Sequence, residues 1–263
     1  MSRYNQQHGI YQKEGVFLIP GFLPFSDTAI LKNKATTLIQ QRSEHHIYRE
    51  KDILRTVAID INQDDSSFYK LAIHSDLVNL VYKLLGQPHY LFQLKINPNS
   101  PLNKSNYDWH QDFKYWHEYD GMAKPNAVNI AILLEDVIEL NGPTVFIPRT
   151  HFHGITLHND VENNNNKQNL NGNLPYFISD EVAELSKEQH GLVYGMGQAG
   201  TLIAFHPNIY HKAINNLSNS NRLVIFITYV GQSTQFFPIT NARPLWIANV
   251  NNLSKLPILG ENT

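Results

Sequence analysis

From His89 onward the chain carries a succession of short runs rich in β-branched and aromatic residues: HYLFQLKIN, AVNIAILLED, GPTVFIP, GTLIAFH and RLVIFITYV. The first alternates in period two, and Gly, Pro or Asn separate the runs, which is how strands and turns read in sequence. Parallel strands need a helical crossover between each pair, and none is evident between these runs. Five or more such strands therefore point to an antiparallel architecture, a sandwich or a closed jelly-roll barrel, and away from a doubly wound sheet.

The part before His89 reads differently. GVFLIPGFLP suggests a short strand and turn. A helix should follow, with Ser26 or Asp27 as its N-cap and Ile30, Leu31 and Leu38 marking a helical rhythm to about Gln41. The polar stretch RSEHHIYREKD breaks that rhythm. A second helix is expected from about Ser66 to Leu85, where Leu71, Val78, Leu80, Val81 and Leu84 recur at helical intervals and Gly86 supplies the stop. A polar insertion over about 159–173, NDVENNNNKQNLNGN, has no apolar periodicity. Long polar loops in compact domains are either solvated surface or functional lids. A short helix capped by Ser179 or Asp180 should follow it, with Val182 and Leu185 buried. No composition shift marks a linker, so the expectation is one domain over 1–263. Its helical part spans about 26–86 and its jelly-roll core about 89–248.

Composition narrows the chemistry. The chain has no cysteine, which excludes disulfide scaffolds, thiolate zinc sites, iron–sulfur clusters and cysteine nucleophiles together. It has 13 histidines, so imidazole and carboxylate are the strong ligands it can offer a transition metal. A formal charge of −2 argues against a nucleic-acid partner, which calls for a basic face. No apolar run reaches the roughly 18 residues of a membrane span, and MSRYNQQHGIYQKEG lacks the apolar stretch of a signal peptide. The expectation is a cytoplasmic protein with no membrane partner.

Three His-x-Asp triplets occur: His74–Asp76, His110–Asp112 and His158–Asp160. With so many histidines one such match arises by chance, so context has to choose. His74 and Asp76 interrupt a helical pattern and read as structural. His158 and Asp160 fall in the Asn-rich loop, which offers no rigid support for a ligand geometry. His110 and Asp112 lie among Tyr107, Trp109, Phe113, Tyr115 and Trp116. On extended backbone, residues two apart share a face, so both side chains can point at one ion in a dry, aromatic-walled barrel mouth. A third ligand is needed, and His151, His153, His206 and His211 are the candidates. His211 should open a strand after the turn at Pro207, and Arg222 starts the next strong strand. Adjacent antiparallel strands would bring that guanidinium near the metal, where it can hold a carboxylate in a bidentate fork. Such a pairing suits a keto acid chelating a metal at one end and salt-bridged at the other.

WHQDFKYWHEYDGM, NGPTVFIPRTH and FHPNIYHKAINNLSNSNR together resemble the phytanoyl-CoA dioxygenase superfamily of Fe(II)/2-oxoglutarate-dependent oxygenases, nearest to ectoine hydroxylases and free amino-acid hydroxylases. The resemblance runs from GVFLIPGFLP, at about residue 15, to about residue 248. It implies a mainly β protein with flanking helices around a double-stranded β-helix (jelly-roll, cupin-like) core. It implies an enzyme using Fe(II), 2-oxoglutarate and dioxygen, with His110, Asp112 and His211 on iron and Arg222 on the distal carboxylate of 2-oxoglutarate. By the same resemblance Asn97, Tyr107 and Asn129 contact 2-oxoglutarate, and Gln93, Trp116, Phe226 and Arg243 contact the substrate. A carboxylate at Asp112 implies hydroxylation, since related halogenases keep a small residue there.

Lys95 stands where ectoine hydroxylases keep an arginine, and Ala123 and Lys124 depart from their pattern after DGM. The spacing from His211 to Arg243 is similar to that of free leucine 5-hydroxylases. The expected substrate is therefore a small free aliphatic amino acid, foremost L-leucine at C5, its carboxylate on Arg243 and its side chain between Trp116 and Phe226. Ectoine or another small zwitterion is the alternative. Outside this class, a metal- or sugar-binding jelly-roll without turnover would explain the strands and histidines but not Arg222. Hydrolytic zinc chemistry would lack a general base beside the metal.

Overall fold

The computed structural model describes residues 4–41, 43–49, 53–60, 66–101, 108–156, 159–160, 176–253 and 256–260. In chain order the elements are α1 (Asn5–Glu14), β1 (Val16–Ile19), α2 (Phe25–Gln40), β2 (His46–Arg49), β3 (Ile53–Ala58), α3 (Ser66–Ala72), α4 (Ser75–Leu85) and β4 (His89–Asn99). There follow α5 (Asp112–Asp120), β5 (Ala127–Leu133), β6 (Thr144–Ile147), β7 (Asn159–Asp160), β8 (Tyr176–Phe177), α6 (Asp180–His190), β9 (Val193–Tyr194), β10 (Leu202–Phe205), β11 (Tyr210–Ala213) and β12 (Arg222–Gly231). Among the described residues no helix is long and apolar enough to cross a membrane.

Seven strands form one antiparallel sheet in the order β1-β10-β5-β12-β4-β3-β2, and β11-β6-β9 form a smaller one. The central strand β12 explains the arrangement. Every one of its residues is buried, because helices cover one face and the small sheet the other, as its unbroken apolar run requires. Leu223, Ile225, Ile227 and Tyr229 pack toward the helical layer with Leu31, Phe68, Leu80 and Leu84. Val224 and Phe226 face inward, with Phe146 of β6 and Phe205 of β10. Five residues of α4 are buried, Leu77, Val78, Leu80, Val81 and Leu84, each worth roughly 1.5–3 kcal/mol on transfer from water.

Several local expectations are corrected. The second helix is two helices, α3 and α4, because His74 takes an extended conformation (ψ 131°) and its Nδ1 accepts the Asp76 N–H. Such local bonding competes with helix continuation. The α2 helix begins at Phe25 after Pro24, not with a Ser26 or Asp27 cap; the φ of −59° at Pro24 already suits a helix entry. In α6 Ser179 does cap, accepting from Val182 N, but the buried residues are Ala183 and Ser186, and Leu185 is exposed. The polar stretch after α2 contributes β2, which pairs with β3 at the sheet edge. That edge position explains its polarity, since charged edges resist pairing with other chains. From 161 on the polar insertion lies outside the described residues, and so does Tyr107.

Candidate active site

His110 and His211 come from segments a hundred residues apart and are joined by a two-way backbone bridge, each N–H donating to the other's carbonyl at 3.1 Å. Gln111, the middle residue of the triplet and fully buried, ties the two segments further. Its Nε2 donates to Asn208 O and to Gly154 O, each at 2.7 Å, and Phe113 N donates to Pro207 O at 3.0 Å. The turn before β11 is thereby pinned against the start of α5. Gln111 sits in extended backbone (φ −119°, ψ 124°), and Asp112 begins the helix. One extended residue therefore suffices to turn His110 and Asp112 the same way, although a helix rather than a strand follows.

The histidine tautomers follow from the backbone. His110 Nδ1 lies 2.8 Å from Asp108 O and His211 Nδ1 lies 3.0 Å from Ile209 O. Each Nδ1 must carry its proton to bond a carbonyl, which leaves both Nε2 lone pairs for the site. His211 Nε2 is 3.6 Å and His110 Nε2 3.9 Å from the Asp112 carboxylate. The ligand atoms of the three residues lie within 4.8 Å of one another, and among the described residues no other group of three His, Asp or Glu converges in this way. Asn129 Nδ2 donates to Asp112 Oδ2 at 2.8 Å, while Thr228 Oγ1 donates to Asn129 Oδ1 at 2.7 Å. This outer pair orients the carboxylate.

The electrostatics suit a cation. Burial, then the neighbouring His211, pushes the His110 imidazole down to about 3, against the pull of Asp112. For Asp112 burial pulls upward, but His211, Lys95, His110 and the Asn129 bond together outweigh it and hold the carboxyl below its ordinary value. At neutral pH His110 is neutral and Asp112 ionised, the forms in which they bind metals. Two imidazole nitrogens and a carboxylate oxygen form a donor set that fits a ferrous ion on one face.

The triad opens into a cavity of about 190 Å³. Arg222, Asn97, Gln93, Trp116, Phe226 and Arg243 all line it. Arg222 is almost wholly buried at the start of β12, with Nε donating to Gly142 O at 3.0 Å. Asn97 accepts from Thr56 Oγ1 at 3.0 Å. The Oε1 of Gln93 is buried and has no hydrogen-bond partner among the described residues. Trp116 stacks edge-on against Phe92, their centroids 5.6 Å apart.

Two residues have engagements that the sequence did not suggest. Asn129 is engaged at both ends of its amide, Nδ2 with Asp112 and Oδ1 with Thr228. Arg243 reaches the cavity with one whole edge of its guanidinium taken by Asp120, Nε to Oδ1 at 2.9 Å and Nη2 to Oδ2. The Asp120 side chain has no solvent exposure. His151 and His206, weighed as ligands, pair with each other instead, their rings 5.1 Å apart. His153 lies 3.2 Å from the Tyr210 hydroxyl.

Gly142 deserves a test of its own as the acceptor for Arg222. Its φ is +77°, and an added Cβ would come within 2.3 Å of Asn99 Nδ2 and 2.7 Å of Ile214 O. Left-handed backbone and backbone crowding leave alanine no relaxed position. Gly142→Ala is expected to lower the melting temperature and to weaken 2-oxoglutarate binding together, read by thermal melts with and without the keto acid. An unchanged melt with unchanged binding would contradict this support role.

Comparison with known proteins gives the family. Residues 11–224 match the phytanoyl-CoA dioxygenase (PhyH) family. An L-proline trans-4-hydroxylase of Streptomyces griseoviridis is 31% identical over 252 residues, covering 94% of this chain and 93% of that protein. An ectoine dioxygenase of Sphingopyxis alaskensis is 25% identical, covering 92% of this chain and 82% of the relative. Among solved structures, EctD from S. alaskensis with 2-oxoglutarate and 5-hydroxyectoine superposes with a TM-score of 0.77 at 22% identity, covering 94% of this chain and 83% of that one. The epimerase SnoN from nogalamycin biosynthesis superposes at 0.68 with 18% identity, covering 89% and 84% of the two chains. These two likenesses concern the fold.

Proposed function

The chain belongs to the phytanoyl-CoA dioxygenase (PhyH) family and is a 2-oxoglutarate-dependent dioxygenase, and we propose that it hydroxylates a small free amino acid. The observation that carries this reading is the convergence of His110, Asp112 and His211 in one cavity with the buried Arg222. Iron held by the triad would supply dioxygen activation, driven by decarboxylation of 2-oxoglutarate to succinate. The chain's own residues do the rest. Arg222 anchors the distal carboxylate of the keto acid by charge-assisted bonds, and Asn97 lies beside it on the cavity wall. Trp116 and Phe226 exclude water and place an aliphatic side chain. The unpaired Gln93 Oε1 offers an acceptor to a substrate N–H. Such positioning is what protein groups contribute when a cofactor carries the hard chemistry.

The core is read as a double-stranded β-helix within a single domain over 1–263. Support comes from the two sheets meeting across Phe146, Phe205 and Phe226. For the substrate, similarity along nearly the whole chain to an L-proline hydroxylase supports the amino-acid class and sets L-proline beside L-leucine, ahead of ectoine. Hydroxylation of L-leucine at C5 has the residue spacing as its support.

The test is anaerobic reconstitution with Fe(II) and 2-oxoglutarate, then air and a panel of L-proline, L-leucine and ectoine, followed by mass spectrometry. Succinate with an amino-acid product heavier by one oxygen is the expected result. Product from ectoine alone would overturn the substrate class. A protein whose melting temperature ignores Fe(II) plus 2-oxoglutarate would be a barrel without this chemistry.

A further inference from the structure

Four cationic side chains, Arg55, Lys95, Arg222 and Arg243, line the cavity, and they are not equivalent. Asp120 engages Arg243 through a whole guanidinium edge, so that charge is already matched inside the protein. Arg222 starts β12, where its register partner is Asn99. Lys95 lies four residues from Asn99 along β4, about 13 Å at the rise of an extended strand, so the two cations enter the cavity from separate stretches of wall. Lys95 is half-buried, and among the described residues its ammonium has no hydrogen-bond or ion-pair partner. Its Nζ lies over the Phe226 ring, 5.9 Å from the centroid.

An ammonium partly shielded from water and without an acceptor favours the arrival of an anion. Among the described residues Lys95 feels Asp112 only at a distance, with no ion pair between them, which leaves a close anion to come from a ligand. Asp112 is committed to the triad and to Asn129, and Asp120 to Arg243. The strand register sets Lys95 opposite Phe226 and next to Ala58 of β3. Arg55, three residues before Ala58, adds a second positive charge to the same cavity. Gln93, with its unpaired Oε1, is two residues from Lys95 on the same strand.

On the reading of the substrate as a free amino acid, we propose that Lys95, flanked by Arg55, holds the substrate's carboxylate, and that Arg243 does not. Arg243 is then a wall residue fixed by Asp120. One strand, β4, would present a cation for the carboxylate and an amide acceptor for the amine, which selects for the α-amino-acid head group whatever the side chain.

Binding, rather than turnover, tests this. The protein is loaded with Zn(II) and 2-oxoglutarate, and L-proline and L-leucine are titrated calorimetrically, each against its carboxamide. The wild type should prefer acid to amide. In Lys95→Met, which keeps the methylene stem, acid binding should weaken by at least about 30-fold while amide binding and 2-oxoglutarate binding stay within about threefold. Lys95→Arg should restore the preference, which a merely structural role would not require, and it remains informative if the methionine variant is unstable. An unchanged acid-to-amide ratio in Lys95→Met overturns the proposal. So does a loss confined to 2-oxoglutarate, or a ratio that collapses in Arg243→Ala instead. If the wild type binds no amino acid of the panel, the substrate reading itself fails and the clamp with it, an outcome distinct from wild-type binding that Lys95→Met leaves intact.

Discussion

Asp112→Ala is expected to abolish both iron retention and succinate formation, whatever amino acid is supplied. The substitution removes the one anion among the three ligands and leaves two imidazoles, with no carboxylate to retain the ion through gel filtration. It does not remove the fold. Asn129 Nδ2 loses its acceptor, which costs about 1–3 kcal/mol for a buried donor, a fraction of the roughly 5–15 kcal/mol by which domains are stable. Metal-free variant and wild type should therefore melt within several degrees of each other. Asn129→Ala calibrates the effect: it disturbs only the orientation of the carboxylate, and loss of an outer hydrogen-bond partner costs roughly 10- to 100-fold in metal affinity. Iron content after anaerobic gel filtration, with succinate yield alongside, reads both variants. Succinate from Asp112→Ala at a comparable rate would mean that the carboxylate is not a ligand.

Arg222→Ala should raise the KM for 2-oxoglutarate steeply. Arg222 is 3% exposed, so a salt bridge from it to the keto acid would be shielded from solvent. Removing one partner of such a buried pair costs about 2–5 kcal/mol, or roughly 30- to several-thousand-fold in affinity. Lysine at this position should recover part of the loss, since it keeps the charge but not the planar fork. The amino-acid affinity should be little affected, because Lys95 and Gln93 lie elsewhere along the cavity. Initial-rate kinetics varying each substrate in turn separate the two. A KM for 2-oxoglutarate unchanged in Arg222→Ala would place the keto acid elsewhere.

The strands were legible because burial on both faces leaves little choice of residue. RLVIFITYV could be little else than a central strand, and it is β12, buried along its length. The elements that the pattern concealed have mixed faces. The α1 helix buries Tyr11 alone. The α5 helix buries an aspartate together with Phe113, Tyr115 and Trp116, so no apolar stripe declares it. The β2 strand lies at an edge and carries polar residues for that reason. At the site, His110 and Asp112 stood out by their aromatic setting, whereas His211 was one of four candidate histidines and was singled out only by the family resemblance. Asp120 and Arg55 gave no such signal. Asp120 matters through a partner 123 residues away, and Arg55 reaches the cavity only because β3 pairs with β4. Gln111 was hidden in the same way, its partners lying 43 and 97 residues along the chain. Local pattern does not carry pairings of that range.

Equilibrium dialysis against Fe(II) under anaerobic conditions, with and without 2-oxoglutarate, bears most directly on the meeting of His110, Asp112 and His211 around a single ion. A single ferrous ion per chain is predicted, bound more tightly when the keto acid is present and lost when all three side chains are replaced by alanine. Iron that stays with the triple variant, or that binds with no regard to 2-oxoglutarate, would contradict it.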